Sequence, residues 1–440
     1  MGIELTADQI LTLAPDASSS SAGKKLANAK NWKNLGQSPE ALWGECQGSA
    51  LYQVRVELSS FAIQCSCPSR KLPCKHGLGL LLLAVNSPST VPNTEPPEWI
   101  TTWLAKRATT SKRKEAKTES KEGQSATSEP TAAQKKTAEK RLAQVTMGID
   151  RLDLWLNDIV RNGLGKLETQ PAKFWEGQKA QMEDAQAKGL ANRIAHLSTI
   201  PNASANWPEK LLSQMGQLTL LTQAFRTIDQ LEPSLQEDVR QLIGWSLKED
   251  EVIARGERVT DEWLIVGQTL EEEDRGRSQR TWLLGTTSRR PALILQFAFA
   301  GATFAERYPV GVRQKADLVF WPGAYPHRAI LEKRLGGVNT ITERLPGAET
   351  IDAFLEEIAT ILARQPWRDR FLCTLNNVIP YCTKDQWYLY DSQGQALPLA
   401  NEHWQLMAQA GGMPVDFVGE WDGEALLPLG ILVENNYHAL

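Results

Sequence analysis

Residues 61–85 read FAIQCSCPSRKLPCKHGLGLLLLAV. Four side chains able to ligate a metal fall within twelve residues: Cys65, Cys67, Cys74 and His76. The spacing is C-x-C, six residues, then C-x-H. The chain has six Cys and five His in all, and the others are scattered singly. Three thiolates and one imidazole complete a tetrahedral Zn²⁺ shell, leaving no position for water or substrate. The pattern therefore predicts one structural zinc rather than a catalytic one.

Working outward, residues 52–58 alternate apolar and polar and predict a strand. Ser59-Ser60 forms a turn, and residues 61–65 return as a second strand. Cys65 and Cys67 stand two apart, which in extended chain puts both thiols on one side. His76–Asn86 predicts an apolar helix closed by Ser87-Pro88. The unit is a small ββα finger. A body of this size buries too little surface to hold itself together, so metal binding supplies the missing stability. Ahead of it, residues 5–30 look helical. Trp32, Leu35, Leu42 and Trp43 are spaced apolar anchors for this lead-in.

The 440 residues carry a net charge of −4, distributed unevenly. Residues 1–105 are neutral, residues 106–141 carry +6, and the remainder carries −10. Residues 106–141 hold no aromatic and no apolar type but Ala, so they predict a disordered basic linker. Residues 142–248 show helical periodicity at Val145, Ile149, Leu152, Leu156 and Ile159 and predict a helical domain. From 249 to 440 short apolar runs separated by turn residues predict an antiparallel α+β domain. The expected fold is thus α+β and multidomain: finger with lead-in over 1–105, linker over 106–141, helical domain over 142–248, α+β domain over 249–440. The longest apolar runs are Leu78–Val85 and Ala292–Ala305, both too short to span a membrane. With no basic, apolar leader at the start, a soluble cytoplasmic protein is expected.

No phosphate-binding loop, zinc-protease or nucleophile-elbow motif occurs, so no catalysis is expected at the finger, while the domain over 249–440 stays open to an enzyme site assembled from residues distant in sequence. Cys46, Cys373 and Cys382 read as core thiols. His196, His327, His403 and His438 read as structural or exposed. Around the cysteines the charge is one-sided: Arg70, Lys71 and Lys75, and no acid, over residues 60–86. Together with Lys24, Lys25, Lys30, Lys33 and Arg55 they could contact phosphates, which gives affinity without sequence specificity. Part of that charge offsets the thiolates.

The run Trp43-Gly-Glu-Cys-Gln-Gly-Ser49, then Tyr52-Gln-Val, Cys65-Ser-Cys-Pro-Ser-Arg-Lys and Pro73-Cys-Lys-His-Gly-Leu-Gly-Leu80, resembles bacterial SWIM zinc finger proteins. The likeness covers roughly residues 1–90. It implies zinc held by Cys65, Cys67, Cys74 and His76, and a module that binds DNA or proteins. It also implies a possible partnership with a MoxR-type AAA ATPase and von Willebrand A-domain proteins. DNA binding is the first expectation and a protein–protein adaptor the alternative.

Overall fold

The computed structural model describes residues 5–69, 71–107, 109, 132–273, 276–299, 302, 304, 306–384 and 386–440. Helix α1 (Ala7–Thr12) opens on a capping box between Thr6 and Gln9. Helix α2 (Ala17–Leu26) is N-capped by Asp16. Four antiparallel strands follow in sequence order: β1 (Trp32–Gln37), β2 (Ala41–Gln47), β3 (Leu51–Glu57) and β4 (Ala62–Cys65). Helix α3 (Lys75–Asn86) lies against them, and a helix α4 runs over residues 98–107. The predicted hairpin is present as β3–β4. The lead-in differs, because Trp32, Leu35, Leu42 and Trp43 sit on two further strands. Asn34 adopts a left-handed φ of 48°, and the β1–β2 register breaks there. That irregularity hides the strand from a period-two reading.

Residues 110–131, most of the expected linker, lie outside the described residues. At 132 the chain is already helical: α5 (Ala132–Asn162) begins ahead of the expected boundary at 142. With α6 (Ala172–Asp184), α7 (Lys188–Leu197), α8 (Trp207–Arg226) and α9 (Pro233–Ile243) it builds a bundle. Its core joins Val145, Ile149, Leu152, Leu156, Leu190, Ile194, Leu211 and Leu218.

Beyond α10 (Glu249–Arg255) come β5 (Arg258–Glu273), β6 (Gly276–Gly285), β7 (Pro291–Phe299), β8 (Val312–Phe320) and β9 (Ala329–Thr340). Their order, β7-β6-β5-β8-β9, contains a Greek key. A parallel bridge from Leu293 to Arg328 curls the two ends together, so the sheet is a partly open barrel. Helix α11 (Ile351–Leu362) leads into β10 (Phe371–Cys382), β11 (Trp387–Tyr390), β12 (Ala396–Pro398), α12 (Trp404–Ala410), β13 (Val415–Trp421), β14 (Leu426–Val433) and β15 (Asn436–Ala439). These strands form a second antiparallel sheet in the order β12-β11-β10-β13-β14-β15. The C-terminal region is therefore α+β and antiparallel, as the turn signals indicated.

The expected N-terminal unit does not stand alone. One apolar core contains Leu5, Ile10, Val54, Phe61 and Leu78–Leu83 together with Trp263, Trp282, Val312 and Phe320 of the barrel. Gln9 Nε2 donates to Gly311 O at 2.5 Å, and Gln314 Nε2 to Ser59 O at 2.9 Å. Both amides are buried or partly so, where each such bond contributes on the order of 1 kcal/mol. Among the described residues no helix is long and apolar enough to cross a membrane.

Candidate metal centre

The strand β4 ends on Cys65, and the chain is held in line for two more residues. Ser66 N donates to Gln53 O at 3.0 Å, and Gln53 N to Ser66 Oγ at 2.9 Å. This extended pairing carries Cys67 to the same side as Cys65. On the far side Cys74 is the N-cap of α3 and His76 lies in its first turn. Strand end and helix start are thereby brought face to face.

The four ligand atoms of Cys65, Cys67, Cys74 and His76 all lie within 4.8 Å of one another. His76 Nδ1 is 3.7 Å from Cys65 Sγ and 3.9 Å from Cys74 Sγ. Zinc bonds of about 2.3 Å to sulfur and about 2.0 Å to nitrogen, at tetrahedral angles, require S–N separations of roughly 3.6 Å. The donor set fits the ion. His76 is buried, and the Tyr52 ring packs over it at 5.0 Å between centroids. Cys74 receives hydrogen bonds from Cys65, His76 and the Gly77 amide at the helix N-terminus, and its thiol falls to about 4. Cys65, the donor to Cys74, is pushed up, and burial raises Cys67. A proton-sharing thiol cluster of this kind passes to three thiolates when a cation takes the place of the protons. The set therefore holds one structural zinc ion.

Cys46, on β2, is fully buried, and burial raises its pKa. It neighbours the site, stands outside the ligand set, and is the core thiol the sequence suggested. Two contributors had no local signal. Tyr52 reads only as a strand residue. Arg307 comes from the segment between β7 and β8, more than two hundred residues away. It feels the charge of Cys74, and its own pKa is lowered to about 10 by burial. It lines a cleft of about 220 Å³ between residues 12–15, Leu72 and the β5–β6 hairpin. Its charge opposes that of a Cys₃His site.

The basic rim is only partly gathered. Arg70 lies outside the described residues. Lys71 pairs with Asp16 at 2.7 Å across the surface, and its ammonium holds the Asp16 carboxyl at about 2. Lys75, the first residue of α3, is exposed. Lys24, Lys25, Lys30 and Lys33 are exposed on α2 and the chain after it. Arg55 is committed elsewhere: its guanidinium lies over Trp99 and Trp103 of α4 and donates to Gln64 Oε1 and Trp99 O.

Helix α3 is enclosed. His76 through Ala84 are all buried. Gly77 is there because a Cβ would stand 2.5 Å from Ile63 Cγ2, and Gly79 because one would stand 2.7 Å from Leu26 Cβ. The two glycines let β4 and α2 close onto the helix beside the metal ligands.

No curated protein and no solved structure matches the chain. Two family models do. Residues 140–243 match the SWIM-associated four-helix bundle domain, which coincides with α5–α9. Residues 52–84 match the SWIM zinc finger, and that segment runs from Tyr52 over His76 through all four ligands. The chain thus carries a segment matching the SWIM zinc finger on β3–α3 and, behind it, a segment matching the helical bundle associated with that finger.

Proposed function

We propose that the chain is a non-catalytic, zinc-stabilised scaffold for protein–protein interaction. The observation that carries this is the burial of α3. A finger that reads DNA with its helix needs that helix exposed to enter the major groove. Here the helix is core, shared with the barrel. Zinc fixes a scaffold joint, and its closed shell leaves no position for a substrate. Arg55 and Lys71, two of the candidate phosphate contacts, already have partners within the chain. The net charge of −10 beyond residue 141 also favours protein over nucleic acid as the principal partner. A MoxR-type AAA ATPase is the candidate partner that the N-terminal resemblance brings in.

The test is a pull-down with the full chain from nuclease-treated lysate of the native organism, beside an anisotropy titration on duplex DNA. The scaffold reading expects a stoichiometric protein partner that survives nuclease. It also expects weak DNA affinity that changes little in the Arg70→Ala/Lys71→Ala/Lys75→Ala variant. Salt-sensitive DNA binding lost in that variant, with no protein recovered, would return the rim to a nucleic-acid role.

A further inference from the structure

The cleft behind the zinc site holds charge that its own walls do not answer. It is bounded by the end of α1, by Leu72 of the finger, by the outer face of the β5–β6 hairpin and by the segment entering β8. Its volume of about 220 Å³ leaves room for a group the size of one amino-acid residue. Two arginines line it, Arg277 and Arg307, and both are half-buried. Among the described residues neither guanidinium donates a hydrogen bond or lies within ion-pair distance of a carboxylate.

The nearby acids are committed elsewhere or stand apart. Glu306, also in the wall, accepts from Tyr308 Oη at 3.0 Å and from Arg334 Nη1 at 3.2 Å. Glu272 stands opposite Arg277 in the β5–β6 ladder, but it is exposed. The Arg277 guanidinium lies instead over the Phe304 ring, 5.7 Å from its centroid. Arg307 feels the charge of Cys74. A bound Zn²⁺ cancels two of the three thiolate charges, so the metal site answers only part of that cation. A half-buried guanidinium without a partner carries a desolvation cost, and an anion in the cleft would offset it.

The rest of the wall says which kind of anion. Leu13, Pro15, Leu72 and Leu270 offer apolar surface beside the two cations. Gln279 has no side-chain partner among the described residues, so its amide is free to donate. The carboxylates of Glu306 and Glu272 tell against a dianion. We propose that the cleft binds a monoanionic carboxylate carried on a small apolar body, the chemistry of an N-acylated apolar amino acid or of the C-terminal residue of a peptide. Arg307 takes the carboxylate, Arg277 adds the second cation, and the apolar body lies along Leu13 and Leu72. Because α1, the finger and the barrel each supply a wall, occupancy ties the three together. This inference stands apart from the scaffold reading, which rests on the burial of α3.

Calorimetric titration of the zinc-loaded full chain tests it with three probes: N-acetyl-leucine, the neutral N-acetyl-leucinamide and inorganic phosphate. The acid is expected to saturate the protein with a dissociation constant on the order of 1 mM or below. The amide and phosphate should bind roughly tenfold more weakly or worse, since each lacks the charge or the shape that the walls select. Arg307→Met keeps the apolar stem and removes the charge, and should weaken the acid roughly tenfold or more. Arg277→Met should act in the same direction. Retained zinc and an unchanged circular dichroism spectrum show that the variants are folded, and the comparison of acid with amide needs no variant at all. A peptide ending in a free leucine carboxylate separates the two sources. Tighter binding than N-acetyl-leucine points to a protein terminus and equal binding to a small acid, and either supports the cleft. Equal affinity for acid and amide, preference for phosphate, absence of saturation, or indifference to Arg307→Met overturns the assignment, and none of these results touches the pull-down that tests the scaffold.

Discussion

Two stretches of this chain are equally apolar in sequence and end in opposite surroundings. Leu78–Val85 forms the body of α3, hemmed in by α2, β2, β3 and β4, with its leucines fully buried. Residues 292–299 form most of β7, which has a full neighbour on one side and a bridge at one end on the other. Hydrophobicity was the same cue in both. What differs is the number of elements that converge. A helix beside a metal site is surrounded because its ligands tie it to a sheet, whereas an edge strand keeps one open side by construction. Buried apolar surface stabilises the fold, and surface left uncovered does not.

The contrast can be broken from its stronger side first. Cys74→Ser removes a ligand and should release zinc from the purified protein, with loss of about 10 kcal/mol of metal-linked folding energy. Because the finger shares a core with the barrel, tryptophan fluorescence of Trp263 and Trp282 should report the change as well. Unaltered fluorescence in zinc-free protein would separate the two halves of that core. Next, truncation should cost unequally. Leu81→Ala should destabilise by about 3 kcal/mol in chemical denaturation, since the side chain is fully buried. Phe297→Ala should stay within about 0.5 kcal/mol. Equal losses would mean that both stretches are equally packed.

A pH-dependent effect concerns the covered half of β7. His327, whose carbonyl accepts from Leu293, stacks on Trp282 with centroids 6.1 Å apart. Burial, reinforced by the Arg368 charge, lowers its pKa to about 3 from 6.5. The folded chain therefore holds it neutral where the unfolded chain takes up a proton. Its contribution is complete above pH 6.5 and is lost as pH falls towards 3. By pH 5 the loss is about 2 kcal/mol. His327→Gln should flatten the acid limb of stability against pH, and an unchanged limb would place the titration elsewhere.

How far the sequence could be read follows the range of the interactions. The zinc ligands are four residues within twelve, so spacing alone exposed them, and the helix behind them announced itself by composition. The β3–β4 hairpin had clean alternation. The strands β1 and β2 did not: Asn34 and Gly36 interrupt the pattern, and pairing in three dimensions makes them strands. Arg307 could not be found beside Cys74, because only the barrel's closure brings residues so distant in sequence together. The shared core of finger and barrel was invisible for the same reason. Each half shows its own apolar face, and no local feature says which faces meet.

One loop changes what counts as a separable piece. After α11 the chain passes through Gln365-Pro-Trp-Arg368, and Trp367 is buried in the helical bundle's core. Arg193 Nη2 donates to the Trp367 carbonyl at 3.1 Å, and Gln365 Nε2 to Asp238 Oδ2 at 2.6 Å. The bundle thus borrows one of its core side chains from a segment over a hundred residues downstream. A fragment ending at 248 would keep every helix yet carry an indole-sized hole, and the severed downstream half would present a bare tryptophan. Mixed in solution, the two pieces should find each other through that plug, as a lock and a key cut from one chain.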